Sequence, residues 1–438
     1  MKKKVLILTY YWPPDNSSGV QRWAYFAHFL HQMGNDITVV TVNPKDASYK
    51  NTDDSFRELV SKIKVVQTYT LEPLKTYSLL TTGSSHKGIP RGGVNSSKSM
   101  FKKLASMIKE NLFVPDARVG WNRFAKEAAQ DIIQREMPDV VITTGPPQST
   151  HLVGVAFKKQ FPNLLWLADF RDPWIELFSI DQASKSAWAQ NRNTKLELSV
   201  LNTADSILTI GPSMQRLLQK KMLPAQQDKV TYIYNGFDDV KMDNAPILPS
   251  DTFTITFVGL MADEYPYAGF VSALKKLGDS ASKIKLILAG NIARKFISEV
   301  NEIANLEVDV KGFVSHEQSL SLMKSASMLF TILPSLPNDE IIISGKMMEY
   351  IAARKPILCI GNQKGDAAAL IQESNSGKTF DAQDSEEMLA FIQKCMQEEV
   401  VLNSDNQSIA PYSRKATAVK LDQLLDELLK NKVLFGSC

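Results

Sequence analysis

Short apolar runs rich in β-branched residues recur along the first half of the chain, at 4–9, 36–42, 63–67, 139–144, 164–169, 205–210 and 229–234. Their length and near-continuous apolar character predict strands buried on both faces. Between most of them the apolar positions return every three or four residues. Trp23, Phe26, Ala27 and Leu30, for example, share one face of a helix that ends near Gly34. Strands alternating with helices predict parallel sheets covered on both sides. From 239 to 252 the chain turns polar, carries Pro246 and Pro249 and shows neither period, which is the pattern of a linker. The alternation then begins afresh, with strands expected at 253–259, 284–290, 306–310, 327–332 and 356–360. After the last of these, Ala416, Val419, Leu421, Leu424, Leu425 and Leu428 predict a long amphipathic helix. The fold class is therefore α/β, with two doubly wound, Rossmann-like domains.

Composition narrows the function classes. Over 438 residues, 44% apolar and 22% charged content is that of a globular protein with ample core. A net charge of +3 is too small for the concentrated basic face of a nucleic-acid binder. Cys359, Cys395 and Cys438 form no paired framework and no metal-type spacing, so a reducing compartment is expected. The apolar run after the basic tip Lys2-Lys3-Lys4 is only about six residues, short for a signal-peptide core, and reads as a first strand of a cytoplasmic protein. One stretch departs from the average: from His86 to Glu110, six basic residues stand against one acid. Phe101, Leu104, Ile108 and Leu112 form an apolar helical face there. That pattern suits either an ordinary amphipathic helix or contact of residues 87–112 with an anionic membrane surface.

In open α/β sheets ligands lie beyond the carboxyl ends of the strands, so candidate chemistry is sought in the loops that follow them. After the first strand, Gly19 permits close approach of backbone to a ligand at a helix start, and Arg22 reaches a phosphate from the first turn. No GxGxxG accompanies it, which disfavours a dinucleotide oxidoreductase. His151 follows the fourth strand, close to a helix start, and is either a structural histidine or a ligand contact. Asp169, Arg171 and Asp172 cluster at the end of the fifth strand, as a catalytic group or as an internal ion pair with a cap. In the second half Gly312, Phe313 and Val314 offer backbone to a flat base. Ser344 and Gly345, read as a helix start, present amides and Lys346 to an anion, with Glu349 three residues on along the same face. No acidic pair follows a strand in a position to hold a divalent ion, so no metal is expected.

Taken in order, these blocks resemble the retaining glycosyltransferases of family 4, of GT-B fold, in the branch of bacterial surface-polysaccharide enzymes. The segments are KVLILTYYWPPDNSSGVQR, PDVVITTGPPQSTHLVG, WLADFRDPW, NGFD, GFVSHEQSLSLMKSASMLFTILP and GKMMEYIAARKPIL. The resemblance implies an acceptor-binding domain at 1–238, a nucleotide-sugar domain at 253–411, a cleft between them and a final helix, 412–438, that packs back on the first domain. It also implies transfer of a hexosyl group from a nucleoside diphosphate sugar to a glycan or lipid-linked glycan, with retention and no further cofactor. Glu349 then holds the ribose, Lys346 the diphosphate, Gly312 to Val314 the base and Gly19 a donor phosphate. Gly259, at the end of the first strand of the second domain, lines the donor site, and Asp169 or its neighbours stand where relatives present a catalytic histidine or aspartate. Two positions depart from the pattern. Ile341 stands where the family's first paired glutamate belongs, with Glu340 offset by one, and Leu260 to Glu264 lack the usual arginine and lysine. Two alternatives stay in view: a nucleotide-sugar epimerase, as a different enzyme on the same scaffold, and, from these departures, a non-catalytic GT-B-like binding protein.

Overall fold

A computed structural model describes residues 2–15, 18–49, 52, 54–72, 111, 113–176, 185–400 and 406–435. The basic stretch singled out as a membrane contact, residues 87–112, lies outside them except for Asn111. The chain divides into two units, residues 1–234 with 417–438, and residues 235–416.

In the first unit β1 (Lys4–Leu8), β2 (Asp36–Val42), β3 (Lys64–Thr68), β4 (Val140–Gly145), β5 (Leu165–Phe170), β6 (Ser206–Thr209) and β7 (Val230–Tyr232) form one sheet. Its order is β3-β2-β1-β4-β5-β6-β7, and every pair is parallel. Helices α1 (Ser18–Gln32), α2 (Asn122–Glu136), α3 (Thr150–Gln160), α4 (Ala187–Thr203) and α5 (Pro212–Gln219) connect the strands. Alternate residues of one strand serve different cores, which is why the strands read as continuous apolar runs. Val5 and Ile7 pack with Trp23, Phe26 and Leu30 of α1. Leu6 and Leu8 pack on the other side with Ala125, Ala129 and Ile133 of α2 and Phe157 of α3.

The second unit opens with α6 (Asp239–Asn244) and holds β8 (Phe253–Met261), β9 (Ile284–Ile292), β10 (Glu307–Gly312), β11 (Met328–Ile332), β12 (Ile357–Ile360) and β13 (Gly377–Phe380). This sheet is also wholly parallel, in the order β10-β9-β8-β11-β12-β13. Its helices are α7 (Ala268–Lys275), α8 (Arg294–Asn301), α9 (His316–Ser325), α10 (Met347–Ala352), α11 (Asp366–Glu373) and α12 (Ser385–Met396). Phe270 of α7 stacks on Phe330 of β11 with ring centroids 3.9 Å apart, at the centre of one core.

Two elements escape the sequence pattern. β13 has four residues of which only Phe380 is buried, too few to show a strand period. α6 lies inside the polar stretch read as a linker; at six residues it shows no period either. The Asp238 carboxylate caps it by accepting the Lys241 amide at 3.0 Å, and Lys324 Nζ donates to the carbonyls of Asp243 and Ala245.

The last helix, α13 (Arg414–Phe435), brings Ala418, Leu421 and Leu425 into the first unit's core. Each buried leucine contributes about 1.5–3 kcal/mol. The helix is also tied by charge: the Lys3 ammonium reaches Asp422 at 3.0 Å and Asp426 at 2.7 Å, and Asn35 Nδ2 donates to Asp422 at 2.8 Å. Among the described residues no helix is long and apolar enough to cross a membrane.

Lys3 is 2% exposed, whereas its two partners are 22% and 36% exposed, so solvent screens part of the attraction. Replacing Lys3 by Met is expected to lower the first unit's stability by about 1–2 kcal/mol, read as a lower urea midpoint with an unchanged slope.

Candidate active site

A doubly wound sheet reverses its strand order once, and loops leaving the two diverging strands open a crevice at their carboxyl ends. In the first unit the reversal falls between β1 and β4. Asp169, near the end of β5, is fully buried, and its oxygens accept four hydrogen bonds. Arg22 supplies Nε at 3.2 Å and a terminal nitrogen at 3.1 Å to one oxygen. Trp23 Nε1 at 2.6 Å and the Thr144 hydroxyl at 2.8 Å serve the other. Together these fill the roughly four acceptor directions a carboxylate has.

Arg22 is turned inward. Its side chain is 2% exposed, it also donates to the carbonyls of Ile233 at 2.7 Å and Thr209 at 3.4 Å, and its guanidinium lies 4.9 Å from the Phe26 ring centre. A guanidinium in that position braces the strand ends from within. Arg171 does similar work between loops. It donates to the carbonyls of Gly145 at 3.1 Å, Pro146 at 2.6 Å and Gly19. A Cβ on Gly19 would run into this guanidinium, so glycine is needed there to admit Arg171. Burial pushes the neighbouring Asp172 carboxyl up, against the opposing charge of Arg171.

His151, in the first turn of α3, is wholly buried and stacks on Phe170 with centroids 4.5 Å apart. Nδ1 lies 2.8 Å from the Thr143 hydroxyl, which accepts the Trp166 indole N–H at 2.9 Å. Burial drives the ring's pKa down to about 3, so it is neutral at ordinary pH. Its Nε2 and the nearby Gln148 Oε1 find no partner. Both flank the Cα of Gly145, where a Cβ would meet them.

In the second unit the reversal falls between β8 and β11, which pair only at Met328 with Ile255 and Leu329 with Thr256. Beyond that point the Tyr350 hydroxyl inserts between them, accepting from the Val258 amide at 2.8 Å and donating to the Phe330 carbonyl at 3.1 Å. This ties α10 to the diverging strand ends and thereby places Glu349. Ser344 and Gly345 precede the helix rather than opening it; Lys346 is the capping residue, and its carbonyl accepts the helical bond from the Tyr350 amide at 2.9 Å. The Ser344 hydroxyl finds no partner.

Lys346 Nζ meets one Glu349 oxygen at 3.0 Å, the pair expected from their spacing. The other oxygen meets His316 Nε2 at 2.9 Å, a contact the sequence did not suggest. Burial alone would raise the Glu349 carboxyl, but the His316 hydrogen bond and the Lys346 charge outweigh it and hold it below its ordinary range. His316 opens α9 one residue beyond Gly312, Phe313 and Val314, with Ser315 between, so it joins that loop to Glu349. Gly312 adopts φ +62°, and Phe313 is 91% exposed. The second unit thus gathers His316, Lys346 and Glu349 into one cluster, with Gly312 to Val314 in the stretch that leads into His316. Gly259, in β8 with φ +152°, follows Val258, whose amide meets the Tyr350 hydroxyl. Ile341 is buried at 4% exposure, as its apolar side chain requires.

Another group missed by sequence reasoning lies in the first unit. Tyr10 donates to Glu72, which also receives Arg118 at 2.6 Å, and Asp116 accepts the amide and hydroxyl of Ser149 at 2.7 and 2.9 Å. Partners so far apart along the chain leave no local signal. The start of α9 did leave one: Ser315 and Gln318 form a capping box, legible as Ser-x-x-Gln, and it fixes the position of His316.

Comparison with known proteins bears on the fold and the class of enzyme. Residues 252–398 match the family model described as glycosyl transferases group 1, which marks the chain as a glycosyltransferase. No curated protein sequence matches it. Its fold is similar to that of a glycosyltransferase from Rickettsia africae ESF-5, at 16% identity and TM-score 0.61 over 98% of this chain and 99% of that one. It is also similar to Anabaena Alr3699/HepE solved in complex with UDP, at 13% identity and TM-score 0.60 over 97% and 100%. The N-terminal domain of Candida albicans trehalose-6-phosphate phosphatase shares the architecture at 11% identity and TM-score 0.60, over 98% and 99%. The two-unit α/β architecture is thus that of the GT-B fold.

Two outcomes are expected from the site's construction. Replacing Tyr350 by Phe leaves the Val258 amide and Phe330 carbonyl unsatisfied, and chemical denaturation should register a loss of about 1–3 kcal/mol. The second outcome concerns acid. An unfolded histidine takes up its proton near 6.5 while buried His151 does so only near 3, so stability is full above pH 6.5 and falls as pH drops. Between about pH 7.5 and pH 5 the native chain should lose about 2 kcal/mol more than the His151→Gln variant, measured by urea denaturation at both values.

Proposed function

We propose that this glycosyltransferase moves a hexosyl group from a nucleoside diphosphate sugar to a hydroxyl of a glycan or lipid-linked glycan, in the assembly of cell-surface polysaccharide. The observation that carries the reading is the Glu349 carboxylate, kept charged between Lys346 and His316 and joined through His316 to the exposed loop Gly312 to Val314. In this proposal Glu349 accepts the ribose hydroxyls, and the base lies against the backbone of Gly312 to Val314 and the face of Phe313. Lys346, the Ser344 hydroxyl and the Gly345 amide receive the diphosphate. The backbone at Gly259 lines the same site. The UDP in the Anabaena relative's structure supports this class of donor.

A departing diphosphate gains negative charge as the glycosidic bond breaks, and a fixed cation with pre-aimed donors stabilises it without reorganising. Lys346 suits that role, and the proposed reaction needs no metal. In the first unit, His151 Nε2 and Gln148 Oε1 are unpartnered polar atoms suited to a sugar hydroxyl, and Asp172 is the carboxylate proposed to act there. Asp169 and Arg171 hold these loops in register. Retention at the anomeric carbon is proposed from the resemblance to family 4; contact of residues 87–112 with anionic lipid, and with it work at the inner face of the bacterial membrane, is proposed from their excess of basic residues. A second reading, a binding protein without turnover, draws on the buried Ile341 and the acidic Asp263 and Glu264 after β8.

The test is a thermal-shift and calorimetric screen with UDP, GDP, ADP and their sugars, followed by transfer to a lipid-linked glycan. One nucleotide should raise the melting temperature, and Glu349→Ala should weaken its binding about tenfold or more, as expected for losing a charged acceptor. Unchanged affinity removes Glu349 from the site. Nucleotide binding without transfer or donor hydrolysis favours the second reading.

A further inference from the structure

Glu349 is held by two side chains of different origin. Lys346 sits three residues back at the start of the same six-residue helix, with its side chain 34% exposed. His316 comes from another element: it is the first residue of α9, fixed by the capping box in which Gln318 Oε1 accepts the Ser315 amide at 2.9 Å and Ser315 Oγ accepts the Gln318 amide at 3.1 Å. The Ser319 hydroxyl adds a bond of 2.7 Å to the His316 carbonyl. A short stiff side chain on a capped helix holds its ring in place at less entropic cost than a lysine. Lys346 can follow the carboxylate through several rotamers, whereas His316 Nε2 fixes one of them.

We infer that His316 is a positioning residue that orients the Glu349 carboxylate for a vicinal diol, and so makes the site select ribonucleotides over deoxyribonucleotides. The inference rests on the donor-site reading given above. A carboxylate offers about four acceptor directions, two on each oxygen. His316 takes one on the first oxygen and Lys346 one on the second, which leaves one on each, 12% exposed to solvent, for the two donors of a cis-diol. Removing the imidazole frees the carboxylate to turn about its side-chain bonds under Lys346 alone. One hydroxyl can still find an oxygen in that state, but the paired arrangement that penalises a missing hydroxyl is lost. Discrimination of this kind arises because a site built to bond a hydroxyl is left with an unpaired group when the hydroxyl is absent.

The experiment compares UDP with 2′-deoxy-UDP, and GDP with 2′-deoxy-GDP, by calorimetry on the full chain and on Glu349→Ala, His316→Ala and His316→Gln, each checked for fold by circular dichroism. For whichever base binds, the wild-type chain should prefer the ribonucleotide by about tenfold or more, His316→Ala should reduce that preference to about threefold or less, and His316→Gln, which keeps a hydrogen-bond donor, should restore most of it. A preference unchanged in His316→Ala, or not restored in His316→Gln, overturns the role of His316. If Glu349→Ala nevertheless weakens binding, the donor-site reading stands without it. A Glu349→Ala variant that binds as tightly as wild type, or a wild-type chain that binds none of the four nucleotides, overturns the donor site and the inference together.

Discussion

A parallel sheet covered by helices on both faces leaves polar chemistry only one place to gather, the loops at its strand ends, and everything functional in this chain follows from that constraint. Both sheets obey it. Alternate residues of β1 feed opposite cores, so neither face of the sheet is open to a ligand. Each sheet reverses its order once, at β1 and β4 in the first unit and at β8 and β11 in the second. The diverging strands leave main-chain groups without ladder partners, and side chains must satisfy them.

The two units meet that requirement with different chemistry. In the first, charge does it: Asp169 gathers Arg22, Trp23 and Thr144, while Arg171 binds the carbonyls of three loop residues. The cluster singled out from the sequence also braces the strand ends. At the same strand ends His151 and Gln148 each keep a polar atom unpartnered beside Gly145.

In the second unit a neutral hydroxyl does the bracing. Tyr350 joins the amide of Val258 to the carbonyl of Phe330, and the adjacent Glu349 is thereby held where Lys346 and His316 both reach it. The acidic loop after β8 supplies no cation, so Lys346 is the cation this cluster offers to an anionic ligand among the residues singled out from the sequence. The architecture itself is shared with a protein named a phosphatase domain as well as with glycosyltransferases. What distinguishes this chain is the content of the strand-end clusters and the family match over residues 252–398.

The sequence by itself determined the architecture. Continuous apolar strands alternating with periodic helices require two-sided burial, and long strongly periodic segments such as α1 carry that requirement locally. It also determined the Lys346–Glu349 pair, because residues three apart on a helix are neighbours whatever surrounds them. β13 and α6 were illegible because four and six residues are too few to display a period. What only the tertiary structure decided is which charged groups face inward. The inward turn of Arg22 toward Asp169, 147 residues away, the 33-residue separation of His316 from Glu349 and the 92-residue reach of Tyr350 to Val258 depend on strand order and helix placement. Spacing along the chain carries information about neighbours on one element; it carries none about partners that a parallel crossover brings together.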